Sequence, residues 1–206
     1  MKYRYLKNLR DINTHKCSDL SKITKNKPSF ASKAAYRDWC GETTTDHVFY
    51  SAVEARTPSK RISNDNPPRM IYGVVADYDS PVNWASIDDD LDIKFSSHKP
   101  TWRSKTQSGF LRLVWEFREP IPIEPDMFDT FMKHISLKLH LEKCFAGFDS
   151  SSLRASQYFE LGEDWVKTNG PLETSVIQSV IIKAASERPP QSSDTSIPIT
   201  VVFFFF

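Results

Sequence analysis

The chain has 206 residues, 39% of them hydrophobic and 26% charged, with a formal net charge of +1. That balance fits a soluble globular protein with one sizeable core or two lobes. No apolar run of about 18 residues is present, so no membrane-spanning helix is expected. Three well-separated cysteines, Cys17, Cys40 and Cys144, exclude a disulfide framework and suit a reducing cytosol.

The charge is unevenly spread. Residues 1–61 carry 13 Lys/Arg against 6 Asp/Glu, and the remainder carries 14 against 20. A basic first third beside an acidic remainder suits a polyanion-binding surface near a metal-holding site, or simply a solvated basic surface. The opening "MKYRYLKNLRD" has no apolar leader segment, which points to a cytoplasmic protein.

In chain order, residues 1–28 form a polar, Lys-rich segment. "SFASKAAYRDWC" (29–40) reads as a short helix with Phe30, Ala34 and Trp39 inward. "HVFYSAV" (47–53) reads as a strand, and "TPSKRISNDNPPR" (57–69) as a loop. A strand follows over 70–77, ending in "ADYDS". Residues 81–93 hold a short helix whose "DDD" (88–90) is a solvated end. "SGFLRLVWEFR" (108–118) is the clearest strand, with Arg112, Val114 and Glu116 on one face and Leu111, Leu113, Trp115 and Phe117 on the other; Pro120 and Pro122 are expected to end it. Residues 124–143 make an amphipathic helix with Met127, Phe128, Phe131, Ile135, Leu137 and Leu141 inward. A second helix is expected over 171–187, followed by a flexible Pro/Ser-rich tail, 188–206.

Side chains at i and i+2 of a strand share a face, so Asp77 and Asp79 stand roughly 6–7 Å apart at the backbone. Two carboxylates that close repel unless a cation lies between them. Hard ions such as Mg²⁺ or Mn²⁺ prefer oxygen ligands. Tyr78 points to the opposite face, into packing. A third carboxylate, Asp149, closes "CFAGFD", and about three carboxylates hold the ion pair of a two-metal site. Arg112, alone among apolar neighbours, can bind a phosphate through its planar fork or pair with an acid on an adjacent strand. Lys105, Ser108 and Gly109 precede it, and a Ser-Gly corner allows backbone N–H groups to approach a phosphate.

The stretches "YGVVADYDS", "SGFLRLVWEF" and "GFDSSSLRASQYFELG", in that order, resemble the three motifs of the archaeo-eukaryotic primase superfamily. More closely they resemble the primase-polymerases of plasmids, phages and other mobile elements. The resemblance spans roughly residues 45–187. It implies an α+β catalytic core over 29–187, an N-terminal α/β unit packed on an RRM-like sheet with the active site between them. It implies DNA-templated nucleotidyl transfer with two divalent metals, Mg²⁺ or Mn²⁺, at Asp77, Asp79 and Asp149. The partners would be a single-stranded DNA template and NTPs or dNTPs in a bacterial or archaeal cytoplasm, with no membrane. In the superfamily the second motif usually carries a histidine on the triphosphate; Arg112 stands at that place here. Arg154, after the third motif, would reach triphosphate or template. Lys60, Arg61 and Arg69, before the first, would reach template or nucleotide.

Two other readings remain open. The chain could be a catalytically weak or inactive member that binds single strands in a replication complex, or a metal-dependent nuclease using the same carboxylates. No GxxxxGK[ST] phosphate loop and no four-cysteine zinc module occur, so a helicase or other replication protein would be a separate partner.

Overall fold

The computed structural model describes residues 51–57, 62–106, 108–157, 159–160 and 163–188, together with three short strands nearer the start. The expected helix over 29–40, the loop residues Lys60 and Arg61, and the tail beyond 188 lie outside the described residues.

The protein is α+β, built mainly on a six-stranded sheet. Its strands are β4 (Val53–Ala55), β5 (Pro68–Tyr78), β6 (Trp102–Lys105), β7 (Leu111–Pro122), β8 (Phe148–Asp149) and β10 (Glu163–Lys167). They run in the order β10-β6-β7-β5-β4, with β8 pairing β5 as well. Every pairing between these strands is antiparallel. A smaller sheet joins β1 (Arg4–Leu6), β2 (Cys17–Asp19), β3 (Val48–Tyr50) and β9 (Phe159–Glu160) in the order β2-β1-β3-β9. The helices are α1 (Ile87–Lys94), α2 (Phe128–Lys138), α3 (Leu141–Cys144) and α4 (Thr174–Ser186). None of the described helices is long and apolar enough to cross a membrane.

β5 and β7 are the centre of the core. On one face Val74, Ala76 and Tyr78 stand opposite Trp115, Leu113 and Leu111, all fully buried. The helical segments cover this face. Phe131 meets the Phe117 ring edge-on at 6.3 Å, and Phe95, just after α1, meets Trp115 at 5.3 Å. The polar tips of the large rings find partners, as burial requires. Trp115 Nε1 donates to His98 O at 2.8 Å, and the Tyr78 hydroxyl donates to Leu141 O at 3.0 Å.

The opposite face of the same strands is buried too. Val75 is 1% exposed, Val114 0%, Ser104 0% and Arg112 5%. The sequence separated a buried Leu/Trp/Phe face from a polar one; both are inside, and Arg112 therefore sits in the interior.

Three boundaries differ from the sequence expectations. Pro120 does not end β7, which runs on to Pro122. The β5–β7 register shifts between Ile71 and Gly73, where the ladder between Ile121 and Glu116 is interrupted, and proline, lacking an N–H, is tolerated at such irregularities and strand ends. The long helix is broken: a 3-10 turn at Pro125–Met127, then α2, then His140 at φ +54°, then α3. Leu137 is 58% exposed rather than inward, because it lies about 200° round α2 from the buried Ile135. Pro171 precedes α4 instead of lying inside it.

Candidate active site

The strand register assembles a row of polar residues on the inner face opposite Tyr78. Asp77 of β5 is paired on one side with Asp149 of β8 and on the other with Arg112 of β7; Arg112 is paired in turn with Ser104 of β6. Directly opposed residues of antiparallel strands project from the same face. Asp149, Asp77, Arg112 and Ser104 thus form one line across four strands.

Arg112 grips Asp77 with both arms of its fork. Nε donates to Oδ1 at 2.6 Å and Nη2 to Oδ2 at 2.8 Å. The side chains are only 6% and 15% exposed, so the pair lies where Coulomb attraction is strong and desolvation is costly. The Phe159 ring lies 5.2 Å from the guanidinium carbon and adds a cation–π contact. Of the two partners the sequence allows for Arg112, this geometry realises the adjacent-strand acid.

Asp149 is held just as firmly. Its Oδ1 accepts from Ser151 N at 2.8 Å and its Oδ2 from the Ser151 hydroxyl at 2.6 Å, which caps the 3-10 turn Ser150–Leu153. Asp79 lies one residue beyond β5 and is exposed. Its backbone N–H donates to Gly147 O at 2.7 Å. No described residue makes a hydrogen bond or ion pair to its carboxylate. Burial, then the charges of Asp149 and Asp77, push its pKa up. Asp79 is therefore close enough to Asp149 and Asp77 to feel their charge.

Three carboxylates offer the all-oxygen donor set that Mg²⁺ or Mn²⁺ takes. Asp79 is open to an ion, whereas both oxygens of Asp77 are occupied by Arg112 and both of Asp149 by Ser151. Among the described residues no three His, Cys, Asp or Glu side chains stand close enough together to share one ion. The donor chemistry fits; a metal would share or displace the contacts that Asp77 makes to Arg112 and Asp149 makes to Ser151.

The other candidate residues do not join the row. Lys105 opposes Leu111, on the other face of the sheet, and its ammonium is 2.6 Å from Asp164 and over the Trp84 ring. Ser108 and Gly109 are exposed in the β6–β7 hairpin loop, at the same end of the sheet as Asp79. The amides there already close the loop. Gly109 N donates to Thr106 O at 2.9 Å and Phe110 N to Thr106 Oγ1 at 3.1 Å. Gly109 has φ +80°, which explains the glycine without a ligand. Arg154 is exposed and lines a separate cleft with Asp65, Asp126 and Asp129. Arg69 sits eight residues before Asp77 on the same strand, about 26 Å away at the usual rise; proximity in sequence to the first motif places it at the far end of β5.

Three contributors were not singled out in the sequence. Ser151 is signalled by "DSSS", a run suited to side-chain capping. Phe159 and Ser104 carry no local signal. The Ser104 hydroxyl is buried with no hydrogen-bond partner among the described residues, an orphan polar group next to Arg112 in the row.

No protein-family model, curated protein or solved structure matches the chain.

Proposed function

We propose that the chain is a DNA-templated nucleotidyltransferase of the primase-polymerase kind, working on a single-stranded DNA template with NTPs or dNTPs and with Mg²⁺ or Mn²⁺ at Asp77, Asp79 and Asp149. One observation carries this reading: Asp149, far downstream in the chain, is the cross-strand partner of Asp77, with Asp79 within electrostatic reach of both. Cross-strand like charges are destabilising; Arg112 offsets the charge of Asp77, and a divalent cation at Asp79 and Asp149 would offset the rest. In this reading the six-stranded sheet corresponds to the RRM-like half of the catalytic core.

A bound divalent pair would supply charge neutralisation for a triphosphate and activation of a primer hydroxyl. The chain's own residues position the carboxylates. Arg112 fixes the Asp77 rotamer, Ser151 fixes Asp149, and Asp79 projects at the sheet end beside the 106–110 loop, open to an incoming anion–metal complex. A triphosphate reaching Arg112 would compete with Asp77 for the fork, since phosphate and carboxylate present the same bidentate geometry.

The Arg112–Asp77 pair also favours a second reading, a catalytically weak or silent single-strand-binding member of the same fold, because it satisfies Asp77 without metal. Primer extension and unprimed synthesis on single-stranded DNA, with dNTPs and with rNTPs, separate the two. Metal-dependent product from the wild type, lost in Asp77→Ala/Asp79→Ala, supports the polymerase. Strand binding without product supports the silent member. Product from the double variant overturns the metal site.

A further inference from the structure

A second polar concentration lies on the opposite, helix-covered side of the main sheet. A cleft of about 660 Å³ opens between the segment following α1, the end of α2 and the last turns of α4. Its basic lining is Lys94, His98, His134, Lys138, His140 and Lys183, and no carboxylate lines it. Ser97 and Ser179 add hydroxyls, and Leu137 and Leu139 form an apolar wall.

The charges are unevenly answered. Glu187 pairs with His134 at 3.0 Å and with Lys183 at 3.5 Å. Lys138, His98 and His140 have no ion-pair partner among the described residues. His98 feels its neighbours: burial, then Lys138, with His140 also contributing, push its pKa down. Three lysines and three imidazoles line the cleft and Glu187 answers only His134 and Lys183, so positive charge and N–H donors are left in excess for an anion.

Helix dipoles account for part of the pattern. Lys94, Lys138 and Lys183 each sit in the last turn of a helix, where a cation is favoured. That rule does not require three helix ends to share one cleft, nor does it add three imidazoles. The carbonyls that would repel an anion there are partly engaged: Leu91 O by Phe95 N, Ile135 O by Leu139 N and Leu137 O by His140 N.

We propose that this cleft binds a phosphate-bearing ligand, with the phosphates at Lys138, His98 and His140 and any apolar portion against the exposed Leu137. Its volume is in the range of small-molecule sites. The site stands on its own geometry and does not depend on the carboxylate row.

The test is calorimetric titration of the full chain in EDTA, which removes metal-dependent binding at the aspartates. The probes are pyrophosphate, a nucleoside diphosphate and the unphosphorylated nucleoside. Both phosphorylated probes, or pyrophosphate alone, should bind, and the nucleoside should not. Tighter binding of the nucleoside diphosphate assigns the apolar wall to the base; equal binding assigns the site to the phosphates alone. Lys138→Gln/His98→Gln should weaken binding at least tenfold. Lys143→Gln, an exposed lysine on α3 outside the cleft, should leave it within twofold. No binding of either phosphorylated probe, nucleoside binding as tight as the diphosphate, or equal losses in the two variants would overturn the proposal. Unchanged melting of both variants excludes misfolding as the cause of any loss.

Discussion

Arg112 and Asp77 are cross-strand partners joined by two parallel hydrogen bonds of 2.6 and 2.8 Å in the interior between β7 and β5. Removing one member of a buried pair costs about 3–5 kcal/mol, because the other charge is left uncompensated. Arg112→Met should therefore lower stability by about 3 kcal/mol in urea denaturation. Adding Asp77→Asn should recover part of that loss. A double variant showing the simple sum of the two single losses would mean that the pair is not coupled.

The same pair competes with metal for Asp77. In a Mn²⁺ titration followed by electron paramagnetic resonance, Arg112→Met should bind the ion at least fivefold more tightly than wild type. Asp149→Asn should bind it at least tenfold more weakly. An Arg112→Met affinity equal to wild type would remove Asp77 from the ligand set.

Asp79 predicts a pH effect of definite sign. Its folded pKa is raised by burial and by Asp149 and Asp77, so its charged form is penalised in the folded state. Stability is thus lost as pH rises from the ordinary aspartate range through the raised value, and the penalty persists above it. Without divalent ions, Asp79→Asn should be more stable than wild type at neutral pH by a few tenths of a kcal/mol, a modest figure because the site is exposed and solvent-screened. The difference should vanish in acid, and millimolar Mn²⁺ should reverse it. Melting curves at several pH values read all three outcomes.

Gly147 links two of the aspartates, and its position admits no side chain. It has φ +75°, and a Cβ there would collide with Ser80 Oγ and come within 2.7 Å of Ser80 N. Its carbonyl accepts the Asp79 amide. Gly147→Ala should cost about 1–3 kcal/mol through left-handed strain and the clash. It should also weaken Mn²⁺ binding more than Gly109→Ala does, since Gly109 shares the positive φ but has open space around it.

The aspartates were legible because period-2 alternation and oxygen chemistry are local. The partner of Arg112 was not, because a strand shows which residue is polar but not which neighbour faces it. That depends on the β5–β7 register, a direct pairing of strands that α1 and β6 separate along the chain. Register likewise sends Lys105 to the other face although it is adjacent in sequence to Ser104. Arg69 shows the converse, since closeness along an extended strand is distance in space. Leu137 lies about 200° round α2 from Ile135 and so faces outward, whereas Leu141, off the same stripe, reaches the core after the chain turns at His140.

β8 contributes only two residues to the sheet, on an edge of β5 that β4 has already left. Asp77 and Arg112 are fastened by the long central strands, while Asp149 joins the sheet through two residue pairings and is otherwise held by its own neighbours Ser151 and Ser152. The third carboxylate therefore belongs to a smaller cooperative unit than the other members of its row. Peeling Phe148 and Asp149 away would dismantle the acidic cluster and uncover the Tyr78 ring, which Phe148 meets at 5.7 Å, while leaving the β5–β7 pairing and the Arg112–Asp77 fork in place. Assembly of the site and folding of the protein are consequently separable events, and hydrogen exchange at Phe148 and Asp149 should be faster than at Val75 and Val114.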